Sequence, residues 1–114
     1  MTREAEAGEV RFWELAQPLL DQAGVTRSTM MGFPCLRLHG DFFATCDRRQ
    51  GNLVVKLDEN QVSRLVESGR GEPFAPSGRR FREWVAIPYA KRRSWARHLD
   101  AALDAAAARL AHRH

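Results

Sequence analysis

Two cysteines, four histidines, one carboxylate and an arginine-rich run are the residues of this 114-residue chain whose types could do chemistry. Cys35 and Cys46 are too few for a disulfide framework and lack the C-x-x-C spacing of a zinc or redox site, so reduced thiols are expected, with a redox-sensitive pair as the alternative. His39, His98, His112 and His114 have no partner at metal-ligand spacing within one element; they read as solvated side chains, and neither a metal nor a cofactor is called for. Glu83 sits beside Trp84 in an apolar segment surrounded by arginines. Buried there, it requires a charge partner, and Arg80 or Arg82 is expected to make a structural ion pair with it rather than leave it as a catalytic base. G-x-S-x-G, Walker A, the dinucleotide-binding glycine pattern and H-E-x-x-H are all missing, so no catalytic residue is named and the chain reads as non-enzymatic.

The formal charge is only +4, but it is unevenly placed. Arg79, Arg80, Arg82, Lys91, Arg92, Arg93 and Arg97 fall in one stretch against the single acid Glu83. Interleaved with Trp84, Tyr89 and Trp95, the run RRFREWVAIPYAKRRSW has the composition of a phosphate-contacting surface, and these seven cations are the candidate nucleic-acid-binding residues. The alternatives are a charged face that is merely solvated, and an apolar pocket on the sheet around Met31, Phe33 and Trp84 that takes a small molecule or a protein.

The elements that must position these residues follow from periodicity. Phe12, Leu15, Ala16, Leu19 and Ala23 recur at spacings of three and four, which predicts a helix from about Glu4 to Ala23. Pro18 lies inside it and lacks an N–H, so a kink or two short helices are expected. Trp13, off the stripe, is expected against the C-terminal helix. Val25 to Met31 reads as a strand. Cys35–His39 and Phe42–Asp47 flank Gly40-Asp41, which suits a type II′ hairpin turn. That register sets His39 opposite Phe42 and Cys35 opposite Cys46, making the two thiols cross-strand neighbours.

Leu53 to Leu57 is apolar enough for a central strand. Asp58 then caps a short helix with Gln61 at the capping-box position, Val62, Leu65 and Val66 on its apolar face, and Gly69 at its end. Arg70 to Gly78 reads as irregular, with Phe74 as an anchor into the core. Phe81 to Ile87 is the last strand, with both faces partly covered or a bulge resetting the alternation. A long helix from about Arg92 to His112 carries Trp95, Leu99, Ala102, Leu103, Ala106 and Leu110 on one face. Its alanines suit either packing on the sheet or a close partner helix, which leaves monomer and homodimer both open.

The chain fits one domain spanning residues 1–114. It has no apolar run of the roughly 20 residues a membrane span needs and no secretory leader pattern, so a cytoplasmic protein with no membrane partner is expected. The order of elements predicts an α+β fold: a bent antiparallel sheet of about five strands with N-terminal, central and C-terminal helices packed on it.

Five marks in succession resemble a known family. They are Phe43-Ala44 in the hairpin, Val55-Lys56-Leu57 in a strand, Asp58-Glu59 opening the short helix, the Glu72-Pro73-Phe74 loop and Glu83-Trp84-Val85 in the last strand. Over about residues 24–111 the chain is similar to the YjbR/MmcQ-like proteins and the related N-terminal domain of TfoX/Sxy competence regulators. The resemblance implies a compact α+β domain with a strongly bent antiparallel sheet and a DNA-binding or regulatory role without established activity. A TfoX/Sxy protein carries a second, C-terminal helical domain that these 114 residues do not include, so a competence-regulator role is not the expectation.

Overall fold

The computed structural model describes residues 3–113; His114, expected in the last helical turn, lies outside them. Helix α1 (Arg3–Leu20) leads into strands β1 (Val25–Met30), β2 (Phe33–Leu38), β3 (Asp41–Asp47) and β4 (Asn52–Lys56). Helix α2 (Glu59–Glu67), the two-residue strand β5 (Glu72–Pro73), β6 (Trp84–Ile87), a 3-10 turn (Tyr89–Ser94) and helix α3 (Trp95–His112) follow. The six strands form one antiparallel sheet in the order β1-β2-β3-β4-β6-β5. The architecture is α+β, as the order of elements predicts, with one strand beyond the expected five because Glu72–Pro73 pairs with β6 inside the segment read as irregular.

Helix α1 buries Phe12, Ala16 and Leu19 at the expected spacing, while Leu15 is only half-buried and Ala23 lies exposed in the turn after the helix. Pro18 does not split it. That residue is exposed and the helix ends two residues later, so little of the helix depends on the missing N–H. The helix lies against the β3–β4 turn through two glycines. A Cβ on Gly8 would stand 2.1 Å from the Gly51 carbonyl oxygen, so a larger residue at either position would force the helix off the sheet. Arg48 in the same turn bonds Glu9 at 2.9 Å. Trp13 packs at the margin of the core that α3 also lines, and Arg27 of β1 lies 4.1 Å over its ring.

The β2–β3 hairpin corrects the expected register. Its two-residue loop is His39-Gly40, both with positive φ (47° and 90°), a type I′ turn in which Leu38 faces Asp41. Arg37 then faces Phe42, but Leu36 faces Ala44, so Phe43 is an extra residue in β3, a bulge. Phe43 and Ala44 both turn into the helix-covered core, fully buried. The consequence for the thiols is decisive: Cys35 faces Thr45, not Cys46. The two cysteines point to opposite faces of the sheet and cannot bridge.

The core has two layers. Leu36, Phe43, Leu53, Val55, Val85 and Ile87 meet α1 and α3, with Trp95 and Leu99 at the centre of α3's face. On the other face Phe74 covers Val54 and Ala86, with Trp84 at the margin. Phe74 is the anchor expected of it, though in this second layer. The last strand begins at Trp84; Phe81 lies in the preceding loop, 40% exposed, its ring 5.9 Å from that of Phe74. Glu83 is an exposed residue before the strand and pairs with Lys56 at 4.0 Å rather than with Arg80 or Arg82. No helix among the described residues is long and apolar enough to cross a membrane.

Candidate anion-binding groove

Helix α2 is held by both of its ends. Asp58 accepts from the Gln61 amide at 2.8 Å while the Gln61 side chain accepts from the Asp58 amide, the reciprocal cap read in the sequence. At the other end Gly69 turns left-handed (φ 76°), so that the amides of Arg70 and Gly69 donate to the carbonyls of Leu65 and Val66. That cap aims Arg70 toward α3, next to Arg64 in the last turn of α2.

The facing wall is set by Trp95. Its indole N–H donates to the Pro88 carbonyl (3.3 Å), its ring meets Tyr89 edge-on, and Ser94 donates to the Lys91 carbonyl (2.8 Å). With the buried indole as its peg, the 3-10 turn presents Lys91 and Arg93, and the first turn of α3 presents Arg97 and His98.

These walls enclose two adjoining clefts of about 510 and 480 Å³ that share Arg70, His98 and Ala101. Arg64, Arg70, Lys91, Arg93 and Arg97 line them, Leu57 and Leu65 form part of the floor, and no acidic residue is among the lining. Among the described residues none of these five cations makes an ion pair. Burial, helped by Arg97 and Arg70, holds the His98 imidazole below its ordinary pKa, which keeps it neutral at pH 7. The groove continues along α3 into a larger cleft of about 800 Å³ that is mixed in charge, where Glu59, Glu83 and Asp104 face Arg109 and Arg113. Arg113 there is tied to Asp41 at 2.7 Å, and Arg109, desolvated by burial, has its Nε and Nη2 without hydrogen-bond partners.

The structure divides the seven expected cations. Strand β6 lies between the two groups; four residues at roughly 3.3 Å each carry the chain about 13 Å. Lys91, Arg93 and Arg97 converge in the groove. Arg92 turns away, 4.4 Å over the Tyr89 ring, and lines a different cleft with Arg49. Arg82 pairs with Glu59 at 3.5 Å. Arg79 and Arg80 stand exposed on a loop closed by the Phe81 amide donating to the Phe74 carbonyl at 2.9 Å. Arg64 and Arg70 complete the groove but carry no local signal: each reads as an ordinary cation near a helix C-terminus.

The apolar trio is likewise not assembled. Phe33 lines a cleft of about 310 Å³ under Phe74, Trp84 packs at the margin of the second layer, and Met31 is 70% exposed in the β1–β2 turn.

Chemically the basic groove offers forked donors, point charges and one neutral imidazole. Its hydroxyls are committed to backbone, Ser68 to Leu65 and Ser94 to Lys91. Among the described residues no three His, Cys, Asp or Glu side chains gather as a metal site. Comparison of the chain with protein-family models, with curated proteins and with solved structures finds no match.

Proposed function

We propose that this protein is a non-enzymatic interaction module that binds nucleic acid through the basic half of the α2–α3 groove. The observation that carries the reading is the acid-free lining of that half: five cations, none of them ion-paired among the described residues, on two walls held rigid by a capped helix and a buried tryptophan. Unpaired arginines at fixed positions favour phosphate oxygens, which accept two parallel N–H bonds from one guanidinium. Kinship with the YjbR/MmcQ-like proteins is part of the proposal, resting on the succession of marks from Phe43-Ala44 to Glu83-Trp84-Val85.

The test is fluorescence anisotropy of labelled duplex and single-stranded DNA at several salt concentrations. If all five cations meet phosphates, log affinity falls with log salt at a slope of about −4, so that binding weakens by a few hundredfold between 50 and 200 mM. The R93E/R97E variant should lose at least tenfold in affinity, and R79E/R80E less than threefold. Absence of binding at low salt, or equal losses in the two variants, rejects the reading.

A further inference from the structure

The two edges of the sheet are not equally protected. Strand β5 is two residues long and contains Pro73, both devices that discourage further pairing. Strand β1 has six residues, no proline and no bulge in its pairing with β2, and its only charge, Arg27, is folded back over Trp13. Its free groups can be assigned. The two-residue turn Met31-Gly32 makes Met30 and Phe33 a hydrogen-bonded pair, so by alternation Met30, Ser28 and Thr26 bond inward to β2 while Val25, Arg27 and Thr29 face outward. The Val25 amide is already bonded to the Gln22 carbonyl, and among the described residues the outward N–H and C=O groups of Arg27 and Thr29 have no backbone partner.

We propose that β1 pairs antiparallel with β1 of a second copy of this chain, joining two sheets into one. A two-fold axis normal to the sheet keeps faces aligned, so opposed residue numbers must sum to an even constant. A sum of 54 opposes Arg27 to its own copy and asks for the Val25 amide, which is already engaged. A sum of 56 opposes Arg27 to Thr29 twice over, with four backbone hydrogen bonds, no like charges facing, and Ser28 against Ser28 on the axis. It also brings Met31, 70% exposed in the monomer, alongside Val25 of the second copy. This goes beyond the nucleic-acid reading and is independent of it. The basic groove lies by α2, which packs on β5 and β6 at the far end of the strand order, so pairing leaves one groove open at each end of the dimer.

Sedimentation equilibrium at about 1 to 200 µM should show the mass rising from 13.0 kDa toward twice that value. Thr29→Pro, which removes an outward N–H from an exposed position, should weaken association at least tenfold while leaving the monomer's circular dichroism unchanged. In a C35A background, which removes the buried thiol opposite position 28, S28C should cross-link into a disulfide dimer under mild oxidation. T26C, four residues out of step with itself, should not. A monomer at every concentration overturns the proposal and leaves the edge to a strand from another protein. So does a dimer indifferent to Thr29→Pro, or cross-linking through T26C in preference to S28C.

Discussion

Cys35 and Cys46 lie on neighbouring strands, both fully buried, yet they belong to different layers. Cys46 faces the helices, in the cluster with Leu53 and Phe43; Cys35 faces the side covered by the loop that follows β5. The helix-covered layer gathers most of the large side chains, whereas the loop-covered layer rests on Val54, Phe74 and Ala86. The difference shows in the thiols themselves. Burial first, then the charges of Glu9 and Asp47, pushes Cys46 up to about 12, while Cys35 is raised by burial but drawn back by Arg37 and Ser28. The helix-covered side is thus the drier of the two, although each thiol has charged residues near it.

The largest effect is expected where the dry layer is densest. Phe43→Ala should cost about 3–5 kcal/mol, and Phe74→Ala in the thinner layer about 2 kcal/mol, both read from urea denaturation midpoints. Equal costs would mean that the two layers contribute alike.

Alkaline pH separates the thiols next. The folded state raises the pKa of Cys46, so the stabilisation of its neutral form is fully present below about pH 9 and is lost as pH rises from there to about 12. Wild type should fall relative to Cys46→Ala by up to about 1.4 kcal/mol per pH unit across that window. The corresponding comparison with Cys35→Ala should give a shallower slope.

The smallest effect lies on the loop-covered side, where Thr45 donates to the Pro34 carbonyl at 2.7 Å while only 1% exposed. Thr45→Val leaves that carbonyl without its partner and should cost about 1–2 kcal/mol in the same denaturation experiment. No loss at all would show that the second layer tolerates an unpaired group because water reaches it.

Much of the fold is legible in the chain. The α2 cap at Asp58 and Gln61, the glycine stop at Gly69, the Phe12–Ala16–Leu19 face and the Trp95–Leu99–Ala102–Ala106 face all depend on neighbours within a turn or two. The hairpin register was not legible, because Met31-Gly32 and His39-Gly40 are both type I′ turns with a residue other than asparagine or aspartate in the first left-handed position. Gly40-Asp41 looked the better turn by composition. The shift in the loop slid the strands by two positions and left the faces as expected; the single bulge at Phe43 then sent Cys46 through the sheet to the other face. The groove was half legible: Lys91, Arg93 and Arg97 stood out as a charge run, while Arg64 and Arg70 come from an element closed far earlier in the chain.

What the sequence determined by itself is local: which segments are helical, how the short helix is capped at both ends, and that helices combine with antiparallel strands. Backbone hydrogen bonds within a turn and side-chain periodicity carry that information over a few residues at a time. The tertiary structure alone decided which cations share a groove, which face each thiol occupies and which edge of the sheet is left open. Those depend on register and on packing between distant segments, where a single inserted residue inverts every side chain that follows it.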